Sequence, residues 1–432
     1  MTHPIKIVLA GLLAIGFSNL AAFADSAPVP AFDPVLDADP FTAEELLARP
    51  LPHASAALEH YLRGVVAASQ LDAAAAEREL AAAYDDPKAS DGIARRALSV
   101  AGSAALRAGE YGRAADLFNR ELSRYSAQMS EHERTSDESN RGAAMVLRGV
   151  PPQTIDAEVT GTIPLGKHDL GLTTMPTEIN GQAQVAVVDT GTSIAALSAT
   201  AAKRLGVHVL EGKVTAGSAT VHSLAVTAAI ADTVRVGPAT LHNVVFMVID
   251  DAALSPMGPE HRIDAIIGFP VLAALGRITF HAENVGGQEK RSLSIASSAG
   301  RASGPGSLRF QGYDFYTRVS ANGQTLPFYV DSGNNKTGFD KRYAREFPAR
   351  LSGLQRRMTK VAGAGGIEER QVAIMPNLSF IAGGATVDLK DVRVDLTGNG
   401  SDTNYGSVGA DVLWAKGGYT IDFGALDLSL GG

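Results

Sequence analysis

Two short tripeptides, Asp189-Thr190-Gly191 and Asp331-Ser332-Gly333, carry the side chains of this chain best suited to chemistry. Two carboxylates held about 3 Å apart cannot both ionise cheaply, so such a pair takes up one proton and titrates as a unit with two separated pKa values. One acid and one base then come from identical side chains. The ionised member can draw a proton from a water lying between them, while the protonated member donates to a carbonyl as its oxyanion forms. Neither a metal nor a covalent intermediate is required. Gly191 and Gly333 let the two loops approach, where a side chain would push the carboxylates apart.

One Asp-Thr/Ser-Gly is an ordinary polar turn, but here the surroundings recur. The acids stand 142 positions apart (331 − 189), and Asn180-Gly181-Gln182 and Asn322-Gly323-Gln324 repeat at that interval. Each Asn-Gly is a tight-hairpin signal ahead of its acid. The apolar runs Val185-Ala186-Val187-Val188 and Phe328-Tyr329-Val330 predict that each acid sits just beyond the end of a buried strand. Ser198 and Asp340 keep the interval and are predicted N-caps of short helices over 199–205 and 341–347. Further on, Ala216-Gly217 through Val226 matches Ala362-Gly363 through Val372, and Ile267-Gly268 with Val271-Leu272 matches Val408-Gly409 with Val412-Leu413. The repeat spans most of residues 155–432.

What precedes it is different. A chain of 432 residues, 45% hydrophobic, can bury large cores in two to four domains. Lys6, an apolar stretch over 7–17 and Ala22-Phe23-Ala24 predict a cleavable signal peptide over 1–24, an uncleaved anchor being the alternative. A Pro/Asp-rich lead over 25–40 is expected to be disordered. Residues 41–148 are Ala-rich and helical in pattern, and Gly109, Tyr111, Ala114 and Phe118 follow the core of a tetratricopeptide repeat. Leu71, Ala74 and the run to Tyr84 form a weaker earlier copy, so the expectation is a helical bundle that leans on the rest of the chain. It is either a docking surface for a protein partner or a structural appendage.

Short alternating strands and Gly-rich turns follow, predicting an all-β bilobal region with one lobe over 155–296, a Gly/Ser linker over 297–307 and a second lobe over 308–432. With no cysteine, disulfides and thiol nucleophiles are excluded, and a periplasmic or secreted bacterial protein fits best. The net charge of −8 and the lack of basic runs argue against nucleic acid.

These residues resemble the retropepsin and pepsin class of aspartic peptidases. The stretch Val188-Asp189-Thr190-Gly191-Thr192-Ser193 with Leu205-Gly206-Val207 looks like the bacterial retropepsin-like pattern. Ile266-Ile267-Gly268 and Val408-Gly409-Ala410-Asp411-Val412-Leu413 resemble the family's apolar-apolar-Gly segment, and Ile421-Asp422-Phe423 its closing strand. The resemblance implies two β-barrel lobes in one chain, an aspartic endopeptidase acting on polypeptide, and Asp189 and Asp331 as the catalytic dyad. It also implies that Thr190 and Ser332 bond the opposite loop's backbone and that Thr192 holds the outer oxygen of Asp189. The copies diverge at Asn334, where an amide replaces the hydroxyl. The expectation is that this amide donates to Asp331 from a different direction, leaving Asp189 the better base. Pro270 likewise stands where the second copy has Asp411.

Two loops are flap candidates: one around Ala216 and Gly217, the other around Gly363, Gly365 and Gly366, the second the more flap-like because its glycines allow close backbone approach. Plain surface hairpins are the alternative reading. No His-Glu-x-x-His, no Gly-x-Ser-x-Gly and no phosphate-binding loop occurs, so no cofactor and no metal are expected. The expected protein is a monomer, not membrane-bound once the signal is removed. A peptide-binding module on the same fold that no longer cuts is the rival function.

Overall fold

The computed structural model describes the backbone of residues 7–9 and residues 35–37, 39–51, 53–157, 159–221, 223–298, 306–399, 401 and 404–431. Most of the expected leader and lead, and residues 299–305 of the expected linker, lie outside the described residues.

Six helices come first: α1 (Pro40–Leu47), α2 (Ala56–Ser69), α3 (Ala73–Tyr84), α4 (Asp91–Arg107), α5 (Tyr111–Tyr125) and α6 (Glu131–Val146). Polar side chains start most of them. Asp39, Ser55, Asp72 and Ser90 each accept from a first-turn N–H, and Ser130 forms a reciprocal box with Glu133. Glycines set the helix spacing: a Cβ at Gly64 would fall 2.5 Å from the Leu80 side chain, and one at Gly102 would fall 2.9 Å from the Phe118 ring. Phe118 and Ala114 are fully buried, and the aromatic fills the space between α4 and α5 opposite Gly102. Among the described residues no helix is long and apolar enough to cross a membrane.

From Thr154 onward the chain is mainly strand. The first lobe orders its strands 161–167, 173–179, 182–188, 265–267, 195–198, 239–249, 224–236 and 208–209. The second runs 355–363, 366–382, 385–395, 338–339, 406–408, 324–330, 314–321 and 308–311. Both hairpins before the acids turn on Asn-Gly with positive φ at both residues, 50° and 73° at Asn180 and Gly181, 51° and 73° at Asn322 and Gly323. That is the turn whose twist matches paired strands. One sheet joins the lobes, because Arg277–Val285 of the first pairs antiparallel with Gly418–Asp422 of the second. The backbone of Ile7–Leu9 pairs parallel with Lys360, Val361 and Ala362.

The helices are bolted to the β region. Arg309, 1% exposed, makes two bonds to Glu44, at 2.6 and 2.8 Å. Tyr313 donates to Leu106 O at 2.9 Å, and Phe41 packs with Tyr316 and Tyr329. A buried, two-point Arg–carboxylate bond fixes orientation more firmly than a surface pair.

Candidate active site

Each acid is delivered by a strand and braced from below by a second strand running parallel to it. Gln182–Val188 leads into Asp189 and pairs with Ala265–Ile267, whose Ile267 O accepts from Asp189 N at 3.1 Å. Gln324–Val330 leads into Asp331 and pairs with Gly406–Val408, where Val408 O accepts from Asp331 N at 3.0 Å. The chain then passes through the loop itself. A Cβ at Gly268 would lie 2.3 Å from Thr192 O, and one at Gly409 would lie 2.7 Å from Asn334 O. Real Cβ atoms do not come that close, so glycine is required where the apolar-apolar-Gly segments thread through. Helices α7 (Ala199–Leu205) and α9 (Lys341–Glu346) come after the loops that bear the acids, and α8 (Phe269–Ala274) and α10 (Ala410–Leu413) follow the threaded glycines.

The two loops interlock. Thr190 N donates to Ser332 Oγ at 3.0 Å and Ser332 N to Thr190 Oγ1 at 2.9 Å. Thr190 Oγ1 also donates to Val330 O at 3.0 Å, and Ser332 Oγ to Val188 O at 3.3 Å. The grip brings the acids together. A Cβ on Gly191 would sit 2.4 Å from Asp331 Oδ1 and 3.1 Å from Asp189 Oδ1, so those oxygens are no farther apart than the sum of the two. A Cβ on Gly333 would meet all three carboxyl atoms of Asp189 within 2.5 Å. Asp189 Oδ1 accepts from Gly191 N at 2.8 Å and, across the interface, from Gly333 N at 3.1 Å. Its Oδ2 accepts from Thr192 Oγ1 at 2.8 Å.

The expected amide bond to Asp331 is not formed. Asn334 Nδ2 donates instead to Ser407 Oγ at 2.9 Å, its Oδ1 accepts from Lys336 N at 3.1 Å, and Asp331 Oδ1 is met by the Asn334 backbone N–H at 3.0 Å. The reason is steric register: the parallel pairing sets Ser407 opposite Tyr329, within reach of an amide too long for the hydroxyl's position. Asp340 also departs from expectation. It makes no side-chain bond to the first turn of α9, whereas Ser198 accepts from Ala201 N at 3.0 Å.

Tyr329 was not singled out in the sequence. Its hydroxyl donates to Gly191 O at 2.6 Å. Burial, with Asp314, Asp331 and Asp189 nearby, pushes that phenol well above its usual range and keeps the proton on it. The signal was there: Tyr329 lies two residues before Asp331 on one strand, hence on the same face.

The two flap candidates meet. Gln355–Gly363 and Gly366–Ala382 form a hairpin turning at Ala364-Gly365, and Gly365 N donates to Ala253 O at 2.9 Å. Ala364 O accepts from Ser218 Oγ at 2.5 Å and Thr220 Oγ1 at 2.9 Å, in the loop that follows Ala216 and Gly217. Thus the tip of the second lobe's hairpin is latched to the first lobe. Asp189 is 0% and Asp331 4% exposed, a sealed pair.

Residues 175–271 match a family model described as aspartyl protease, a segment that holds Asp189-Thr190-Gly191 and the threaded Ile267-Gly268. A retropepsin-like aspartic protease from Rickettsia conorii is among the similar solved structures, at 15% identity over 34% of this chain and 98% of that protein, with a TM-score of 0.21. No curated protein matches.

Proposed function

We propose that this chain is a single-chain aspartic endopeptidase in which two retropepsin-like units supply Asp189 and Asp331 to one catalytic pair. One observation carries this reading: each dyad glycine packs against the opposite acid, so both carboxylates share one site. Asp189 is the ionised base. Thr192 gives its outer oxygen a hydroxyl donor, while Asn334 gives Asp331 no side-chain donor. Asp331 carries the shared proton and donates it to the scissile carbonyl as water, deprotonated by Asp189, attacks. Thr190 and Ser332 hold the register and Tyr329 anchors the Gly191 carbonyl. Because the acids are buried, an extended polypeptide needs the lobes to part, and the Ala364 tip, latched to Ser218 and Thr220, is the flap we assign to open and then close over it. The reading places the protein in the periplasm or outside the cell, which fractionation with its leader intact would test.

Incubation with an unstructured protein or peptide library from acid to neutral pH decides the matter. Cleavage should fall by about a thousandfold or more in both Asp189→Asn and Asp331→Asn. Peptides that bind yet are never cut would establish the non-cleaving module instead.

A further inference from the structure

Behind the dyad loops, where the helices meet the first lobe, lies a cavity of about 250 Å³. Its apolar wall includes Leu71 from the helical region, Ile194 from just beyond the dyad loop, Val245, and Phe269 from just beyond the threaded Gly268. Two polar groups stand out on it, both supplied by the helices. Arg107, at the end of α4, is the only cation among the lining residues. It donates to Gly312 O and Ala68 O, each at 2.5 Å, and among the described residues it forms no ion pair with any carboxylate. Tyr111, the first residue of α5, is 7% exposed, and its hydroxyl has no hydrogen-bond partner among the described residues.

Arg107 is part-buried with only backbone carbonyls as its partners, and Tyr111 lines the same cavity with its hydroxyl unengaged by the described residues, so the wall offers N–H and O–H donors to an anion that enters it. We propose that this interdomain cavity is a binding site for a small monocarboxylate with an apolar body, its carboxylate on Arg107 and Tyr111 and its body against Leu71, Ile194, Val245 and Phe269. Guanidinium forks match a carboxylate's two oxygens, and three of the five Arg107 N–H groups remain after the two carbonyl bonds. A dianion such as phosphate is disfavoured, because no second cation lines the wall. Burial lowers the Arg107 pKa only to about 10, so the charge persists at neutral pH. For scale, an apolar cavity of about 150 Å³ accommodates benzene, so this one has room for a chain of several carbons.

The test is calorimetric titration of the full chain with octanoate, octan-1-ol and octylamine, three probes with one tail and different heads. Octanoate should bind at least about tenfold more tightly than octanol, with octylamine weakest. Arg107→Met should weaken octanoate about tenfold or more, Tyr111→Phe about threefold, and Val245→Trp, which fills the space, should abolish it. If Arg107→Met does not fold, the order of the three probes on the parent chain and the Tyr111→Phe ratio decide. Equal binding of octanoate and octanol, unchanged octanoate binding in Arg107→Met, or no octanoate binding at millimolar concentration would each overturn the proposal. Because the readout is binding, the result stands apart from whether the dyad cleaves peptides.

Discussion

The two dyad loops follow the same backbone path and use their side chains for different ends. In the first, Thr192 turns its hydroxyl onto Asp189, and positions 195 and 270 are Ala195 and Pro270, which offer no polar brace. In the second, Asn334 turns to Ser407, and Asp411 accepts from Thr337 N and Oγ1 at 2.8 and 2.7 Å while Thr337 Oγ1 accepts from Gly409 N at 2.9 Å. The first loop aims its donors at the carboxylate, the second at its own scaffold. The difference teaches that equivalent backbones need not make equivalent acids: on the proposed dyad chemistry, a few side chains outside the shared grip set where the proton sits.

The harshest way to break the comparison is to force the loops apart. Gly333→Ala would drive a methyl into all three Asp189 carboxyl atoms, and Gly191→Ala into Asp331. Both should cut peptidase kcat at least about a hundredfold in protein that still folds by circular dichroism, since a displacement of about 1 Å costs that much in a positioned site. Full activity in either would mean that the acids do not act as a pair.

Next comes the asymmetry itself. Thr192→Val removes a donor from ionised Asp189, so its pKa should rise, moving the acid limb of the kcat/KM profile to higher pH with an activity loss of about tenfold. Asn334→Thr replaces the amide that bonds Ser407 with a hydroxyl matching Thr192 in the first loop, and should also shift the acid limb. A profile unmoved in both variants would sink the assignment of Asp189 as base. A smaller effect belongs to the latch, to which the lobes contribute unequally. Ser218→Ala with Thr220→Val removes both hydroxyls from Ala364 O, and the freer tip should raise kcat/KM on a long peptide about two- to fivefold, chiefly through KM.

How much of this the sequence disclosed depends on how local each feature is. The Asn-Gly turns, the strands ending at the acids and the threading glycines follow from short-range rules and stand where the repeat put them. The helical start followed from caps and alanine content. The destination of the Asn334 amide was not legible, because Ser407 lies 73 residues away and becomes its neighbour only through parallel pairing. For the same reason Arg309 with Glu44, or Arg107 with Gly312, could not be read: both depend on how separate helical and β regions dock.

The helix caps give the mildest contrast between the lobes, one that acts on stability and leaves the dyad alone. Ser198 caps α7 with a neutral hydroxyl. Asp340 stands at the same point before α9, bonds nothing in the first turn, and is pushed up from 3.8 to about 7, first by burial and then by Asp395. A carboxyl whose folded pKa exceeds its unfolded one holds its proton better when folded. Its stabilising share is therefore whole below about pH 4, declines as pH rises, and is gone above about pH 7. Glu121 and Asp137, a buried pair among the helices, are likewise pushed up, chiefly by burial, and contribute slopes of the same sign, so the informative quantity is the difference between variant and parent. Asp340→Asn should flatten the fall between pH 4 and 7 and leave the protein about 1 kcal/mol more stable than the parent at pH 8, after allowance for solvent screening. Ser198→Ala should cost about 1 kcal/mol at every pH. Thermal melts of the three proteins at pH 5 and pH 8 separate the two behaviours: a pH-independent difference for Asp340→Asn would show that this carboxyl is not held neutral.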